Sequence, residues 1–485
     1  MTSPDVRKQY TATIGIECHV QLKTKTKLFS GADNDAREAA PNTLVNHIDF
    51  GLPGGLPVLN EKAVELASRA AFALNSHPQS FSKFDRKHYF YPDLPMGYQI
   101  TQYDEPIVLG GYVDITVDGE KKRIGITRAH LEADAGKSTH PAGGDYSLVD
   151  LNRAGTPLLE IVSEPDMHSA AEAKAYAHEL YLRMRYADVS YANLYYGNMR
   201  FDVNVSVSKT NELGTRTETK NLNSFKSVEK TVEYEINRQI ELLEKGETIV
   251  QETRGWDDTK QRTFSQRTKE DAHDYRYMPD PDLPPIVLDD AYIENIKASM
   301  PILPDSYRQT LTDIGLDPLV IEDIVAVPET AQMVRQVYEA AGISHAKRVA
   351  FWLMVPQTEA DAETQMSTQE FDTPSRIAGL IKLSEMVEAN KLSSTAAKEV
   401  LADMLKSGEN PEAIAEKKNL LQVSDEGAIA EIVVKVLADN AKAAEDVKNG
   451  EMKAIGFLVG QVMKESHGQA NPGLATKLIK RQLGI

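Results

Sequence analysis

Several stretches in the first half of the chain alternate apolar and polar side chains with a period of two, the mark of a strand with one buried face. From Ile14 to Gln21, Ile14, Ile16, Cys18 and Val20 fall on one face and Glu17, His19 and Gln21 on the other. In Arg128–Lys137 the alternation groups His130, Glu132 and Asp134 against Ala129, Leu131 and Ala133. Leu158–Val162 places Glu160 inside an apolar run, and Phe201–Ser208 shows Asp202, Asn204, Ser206 and Ser208 on one side. From about residue 296 the pattern changes to Ala, Glu, Lys, Leu and Met at helical spacing.

Breaks in these patterns suggest the domain plan. The rigid segment Asp280-Pro281-Asp282-Leu283-Pro284-Pro285 closes the strand-rich half, and Gly408-Glu409-Asn410-Pro411 interrupts the helical half. The expected fold is α+β. A mixed-sheet domain over 1–295 is followed by an all-α linker domain over 296–411 and an all-α tail module over 412–485. A chain of 485 residues exceeds what one hydrophobic core supports, in keeping with such a division.

Composition narrows the function. No run approaches the ~18–20 apolar residues that cross a bilayer, and the first residues carry no apolar signal core. A cytoplasmic protein without a membrane partner is expected. The single cysteine, Cys18, rules out an internal disulfide and a multi-cysteine metal site. A net charge of -18 disfavours DNA or another polyanion spread over the whole surface. The exception is local: over 451–485, Lys453, Lys464, Lys477, Lys480 and Arg481 outnumber Glu451 and Glu465, five against two, a net of +3. Such a patch suits RNA phosphates, or is a solvated helix face.

The strand faces carry the chemistry. An ionised Glu160 in an apolar run is costly unless paired, protonated or bound to a cation. Together the segments supply Glu17, His19, Glu132, Glu160 and Asp202, hard oxygen donors with one imidazole, a set suited to Mg²⁺ or Mn²⁺ rather than Zn²⁺. Cations between carboxylates and phosphates serve phosphoryl transfer. The same patterns fit a half-solvated sheet with structural carboxylates, Glu160 paired with an arginine such as Arg153. The sequence contains neither a GxxxxGK[ST] loop nor a GxGxxG turn. It also lacks a Gly/Ser-rich amidase nucleophile segment, so ammonia, if used, must come from another protein.

Longer strings carry a resemblance. His88-Tyr89-Phe90-Tyr91-Pro92-Asp93-Leu94-Pro95-Met96-Gly97-Tyr98-Gln99, Asp150–Pro157, Glu218–Ser224 and Arg276–Asp282 stand in order along the first half. With Ile14–Val20 and the C-terminal Gly456–Lys464 and Gly468–Pro472, they resemble the B-subunit family of bacterial aspartyl/glutamyl-tRNA amidotransferases.

The resemblance implies a cradle-like catalytic domain, a helical linker domain and a tail that contacts tRNA. It implies a heterotrimer in which the A subunit is an amidase (glutaminase) and the C subunit is small, together forming a C–N ligase of the EC 6.3.5 type. In that reaction ATP phosphorylates the side-chain carboxylate of Glu-tRNA(Gln) or Asp-tRNA(Asn), and ammonia displaces the phosphate. Carried over by motif, the cation ligands are Glu17, His19, Glu132 and Glu160, with Asp202 acting through water. Lys87, Lys137 and Arg153 are expected to meet phosphate or carboxylate, and Lys87–Asp93 to line the ammonia route. Relatives carry a structural zinc near segments that here read Phe29–Ala32 and Val45–Gly51. This chain has no cysteine there, so no zinc is expected, and packing around Pro41 and Pro53 is expected to hold the loop. A non-catalytic RNA scaffold and a small-metabolite phosphotransferase are the competing readings.

Overall fold

The computed structural model describes residues 3–141, 143–268, 275–354, 373–422, 426–466 and 470–485. It divides into two compact units, Met1–Pro304 and Asp305–Ile485. The division lies beyond the residue 295 suggested by composition. The short helix α1 (Pro4–Arg7) opens the first unit, α5 (Asp290–Ala298) packs on α2 (Glu61–Ala73), and Tyr292, Ile293, Met300 and Leu303 join that unit's core.

Strands β1 (Thr11–Gln21), β2 (Phe81–Ser82), β3 (Asp85–His88), β4 (Tyr98–Thr101), β5 (Val108–Leu109), β6 (Tyr112–Val117), β7 (Glu120–Ala133), β8 (Lys137–Thr139) and β9 (Leu148–Asp150) come first. Then follow β10 (Pro157–Ser163), β11 (Met199–Ser208), β12 (Thr217–Leu222), β13 (Glu252–Asp257), β14 (Arg262–Thr268), β15 (Met278–Pro279) and β16 (Ile286–Val287). A nine-stranded sheet runs β14-β13-β12-β11-β1-β10-β7-β5, with β6 also on β7. Only the β12–β13 pair is parallel, so the sheet is mixed. The architecture is α+β: a mixed sheet followed by helices.

Helix α2, with α3 (Ala170–Tyr186) and α4 (Phe225–Glu244), packs on the sheet. Each begins at a polar residue whose side chain accepts a backbone N–H of the first turn, Asn60, Ser169 and Ser224 respectively. Ile14, Ile16, Cys18 and Val20 all point into the resulting core. Burial pushes the Cys18 thiol up, and it serves as a small core side chain. Helix α4 brings a polar knot to the edge of this core. Glu235 is fully buried and meets Arg238 at 2.7 Å, Arg254 at 3.1 Å and the Thr217 hydroxyl at 2.7 Å.

The loop expected to rely on packing is held by an ion pair as well. Lys27, fully buried, lies 3.4 Å from Asp49, and the Ser30 hydroxyl stands 3.0 Å from each Asp49 oxygen. Gly155 closes over this group at φ +83°, where an added Cβ would sit 2.8 Å from Asp49 Oδ1. Gly155→Ala combines a left-handed backbone with that clash, so a loss of ~1–3 kcal/mol is expected in denaturant titration.

In the second unit, Gly408 ends helix Ser394–Ser407 at φ +70°, and the Asn410 side chain caps helix Pro411–Lys417. Those two helices pack together, so the break at 408–411 is a tight turn between neighbours. Helices Glu426–Asp439, Ala441–Lys448, Ala454–Glu465 and Pro472–Leu483 share a separate buried cluster that begins at Ile429. Positions 468 and 469 of the tail motif lie outside the described residues. Among the described residues, no helix is long and apolar enough to cross a membrane.

Candidate active site

The alternation along β1 puts Glu17, His19 and Gln21 on the sheet face opposite the core, half-buried. Strand register then decides which side chains meet. Glu160 on β10 lies directly across from His19 on one side and from His130 of β7 on the other. Arg200 of β11 faces His19 from the far side. Neighbouring rows pair Asp202 with Glu17, and bring Glu132 of β7 opposite Leu158.

His19 Nε2 lies 3.4 Å from Glu160 Oε2 and 3.8 Å from Glu132 Oε1. His130 Nε2 lies 3.6 Å from Glu160 Oε2 and 3.8 Å from Glu132 Oε2. The Thr101 hydroxyl of β4 donates to Glu132 Oε2 at 3.4 Å. A second carboxylate group adjoins the first along β1. Asn204 Nδ2 donates to Glu17 at 3.2 Å, and Lys220 Nζ bridges Asp202 at 3.1 Å and Glu218 at 3.0 Å.

The predicted ligand set is therefore split between two groups. Donor atoms of His19, Glu132 and Glu160 come within 4.8 Å of one another, and those of Glu17, Asp202 and Glu218 do likewise. Two oxygens and a nitrogen bound at right angles to one Mg²⁺ at about 2.1 Å stand about 3 Å apart, so small movements would bring the first set to ligand spacing. Glu17 lies beside this set, two residues from His19 along β1, in the group with Asp202 and Glu218.

Charge balance marks the cluster. Burial disfavours a charged His19, but the Glu160 carboxylate beside it raises the imidazole to about 9. Burial also opposes ionisation of Glu160, yet His130 and His19 hold its carboxyl well below the usual range. For Glu132, burial and the Glu160 charge are outweighed by His130, Lys87 and His19, and the carboxyl is lowered. Glu17 moves the other way, pushed up by burial and then by Glu160. The two carboxylates beside His19 favour positive charge there, which a bound cation would supply with the imidazole neutral as a ligand.

Lys87 on β3 lies within electrostatic reach of this cluster. Burial works against its charge, but Glu132 and Glu160 raise it. Its ammonium sits 5.0 Å over the Tyr275 ring, and Tyr103 stacks on Tyr277 at 3.9 Å nearby in the chain. Tyr89 donates to Gln99 at 3.1 Å, which donates on to the Ala133 carbonyl at 2.9 Å, whereas Phe90 of the same aromatic string points to solvent.

Other expected residues lie apart from the cluster or at its margin. Arg153 pairs with Asp134 at 3.3 Å and caps the Ala135 and Gly136 carbonyls, so it is not the partner of Glu160. Lys137 is exposed at the start of the β8–β9 ribbon, with no ion pair among the described residues. Lys464 ends helix Ala454–Glu465, and Lys477, Lys480 and Arg481 line Pro472–Leu483 in the second unit, with Arg481 held by Glu426 at 2.9 Å. His130, Arg200, Glu218 and Lys220 were not singled out from the sequence as site residues. The alternation of 130, 132 and 134 carried the signal for His130. The others depended on knowing that β11 lies beside β1 and β12 beside β11.

Comparison with known proteins decides the family. The family model of the GatB/GatE catalytic domain matches residues 12–294, and that of the GatB domain matches residues 335–483. The chain belongs to the amidotransferase B-subunit family. It is similar to the B subunit of the aspartyl/glutamyl-tRNA(Asn/Gln) amidotransferase of Carboxydothermus hydrogenoformans, 45% identical with 98% of this chain and 99% of the relative covered. The proteins of the same description from Caldanaerobacter subterraneus and Geotalea uraniireducens are 47% and 48% identical over the same shares. Members of this family serve a glutamine-hydrolysing carbon–nitrogen ligase, and both predicted motif regions fall within the matched spans.

Proposed function

We propose that this chain is the subunit that activates the side-chain carboxylate of Glu-tRNA(Gln) or Asp-tRNA(Asn) with ATP and then presents it to ammonia. The observation that carries this reading is the meeting of His19, Glu132 and Glu160 on one sheet face of a family member. These three residues would hold Mg²⁺ or Mn²⁺, which when bound offsets the phosphate charge of ATP. Glu17, with Asp202 and Glu218, extends the acidic face beside them. Lys87, within electrostatic reach of Glu132 and Glu160, adds fixed positive charge where the transferred phosphoryl group gathers negative charge. Arg153 and Lys137 stand at the margin as further anion contacts.

A carboxylate repels nucleophiles, and its oxygen is a poor leaving group. Attack of that oxygen on the γ-phosphorus of ATP breaks its bond to the bridging oxygen, ADP leaves, and an acyl phosphate forms. The nitrogen lone pair of ammonia then attacks the acyl carbon, the C–O bond breaks, phosphate leaves, and the nitrogen loses a proton to yield the amide. Holding the carboxylate in line with ATP and excluding water is the protein's share of the work. Ammonia would come from the amidase, the A subunit, with the small C subunit completing the heterotrimer. The hydrogen-bonded pair Tyr89 and Gln99 offers a neutral wall for its route. The Lys27–Asp49 pair supports the reading that this loop holds without zinc.

The test is ATP-dependent amidation of Glu-tRNA(Gln) and Asp-tRNA(Asn) by the reconstituted complex, with ammonium chloride replacing glutamine. Conversion of either substrate is the expected result. ATP turnover without tRNA, or no amidation of either, would count against it.

In this reading the helices after 304 form a linker domain and a tRNA-contacting tail that carries Lys464, Lys477, Lys480 and Arg481. Contacts of this kind read backbone shape rather than bases. Ending the chain at Gln422 keeps helix Pro411–Lys417 in place. That truncation is expected to weaken tRNA binding while sparing ammonia-dependent turnover at saturating tRNA. Unchanged tRNA affinity in a filter-binding assay would dismiss the tail's role.

A further inference from the structure

We infer that Tyr191, Tyr195 and Tyr196 form a stacking platform for the unpaired 3′-terminal bases of the aminoacyl-tRNA, an assignment that rests on the proposed function. The three rings are 59%, 89% and 44% exposed, an unusual concentration of aromatic surface on one loop. The loop itself is firmly anchored. Ala192 is fully buried with its N–H bonded to Ser190 Oγ at 2.9 Å, and Asn193 Oδ1 accepts the Tyr196 N–H at 3.2 Å. The rings are therefore held outward by a fixed backbone.

The platform continues the strand that carries the candidate active site. Gln21 shares the polar face of β1 with Glu17 and His19, and the Asn198 amide donates to its side chain at 2.8 Å. The Gln21 N–H bonds the Asn198 carbonyl at 2.7 Å, and the Lys23 N–H bonds the Val189 carbonyl at 2.9 Å. Both ends of the tyrosine loop are thus tied to the end of β1. Four residues of extended chain separate His19 from Lys23, about 13 Å. An amino acid esterified to the 3′-terminal ribose must reach the carboxylate cluster while the adjoining unpaired bases lie just outside it. The tyrosine loop is tied to the end of the strand that leads out from that cluster.

Cations already flank the rings. Lys23 Nζ lies 5.1 Å from the Tyr191 centroid, and Arg37 Cζ lies 5.8 Å from Tyr191 and 5.9 Å from Tyr196. Asp188 pairs with Lys23 at 2.7 Å and Asp35 holds Arg37, which leaves the patch close to neutral. Such a surface takes its binding from base stacking on π faces more than from counterion release. A protein-docking core is also rich in Tyr and Arg, but it is depleted of Lys and Asp, and Lys23, Asp188 and Asp35 stand among these rings. The alternating rings and ion pairs favour nucleobases.

The experiment uses the reconstituted complex with ammonium chloride as nitrogen donor. Tyr191→Ala combined with Tyr195→Ala is expected to raise KM for the aminoacyl-tRNA roughly tenfold or more and to leave kcat within about twofold. Tyr191→Phe with Tyr195→Phe keeps the rings and is expected to keep the KM. A tRNA carrying 2-aminopurine in its unpaired 3′ stretch should be quenched by wild type and not by the alanine variant. Normal wild-type turnover with an unchanged KM and unchanged quenching in the alanine variant would overturn the platform alone. Loss of a partner from the alanine variant's complex on size exclusion, with quenching intact, would make the surface a protein contact and also overturn it. A wild type that amidates neither substrate would overturn the proposed function and this inference with it.

Discussion

Glu132→Gln is expected to lower ammonia-dependent amidation by roughly 10²–10³-fold while the protein stays folded. The change keeps the size of the side chain and removes its charge. Glu132 is nearly fully buried, with His19 and His130 each 3.8 Å away and the Thr101 hydroxyl at 3.4 Å. It is also the leading source of the electrostatic support that raises Lys87. Neutralising it takes one of the proposed cation's anionic donors and leaves Lys87 facing a dipole instead of a carboxylate. Mn²⁺ affinity should fall along with kcat, and circular dichroism should be unchanged. A folded variant with full activity would make the carboxylate cluster structural and send the search for the active site elsewhere.

The second large effect concerns stability. Glu235→Gln should cost about 3 kcal/mol in the denaturant-induced unfolding of the first unit at neutral pH. Glu235 is fully buried against Arg238, Arg254 and two threonine hydroxyls; the variant takes the counter-charge from Arg238 and leaves Arg254 with Glu252 alone. Burial alone would raise this carboxyl, but hydrogen bonding from Arg238 leads the contributions that bring it below its ordinary 4.5. A depressed carboxyl stabilises the fold at pH above its unfolded value, and that contribution is lost as pH falls through the folded one. The gap between wild type and variant should therefore be widest near neutrality and narrow below about pH 4.5. A gap that is constant from neutral to acid pH would show that the pair's charge contributes nothing and that only packing was lost.

These two sites were not equally legible in advance. Alternation along β1 and β7 was enough to place Glu17, His19, His130 and Glu132 on polar faces, because side-chain direction in a strand follows from position alone. Glu235 gave no such sign. It lies on helix α4 among apolar positions, and only the approach of Arg254 from β13 and Thr217 from β12 explains why a carboxylate is tolerated there. The Lys27–Asp49 pair was hidden for the same reason, its members being distant in the chain and joined by a loop fold.

By itself the sequence determined the α+β plan, the polar faces, the core role of Cys18 and, through its motifs, the family. Each of these rests on local periodicity or on strings of neighbouring residues, which the chain carries wherever it folds. The folded structure was needed to show that Glu160 stands between His19 and His130, that Glu17 falls a row away beside Asp202, and that Lys87 comes within electrostatic reach of the cluster. It likewise set the end of the first unit at Pro304, where α5 and the residues after it pack on the core. The physical reason is register: which residues face one another depends on strand order and pairing, and those are settled by burial across the whole sheet.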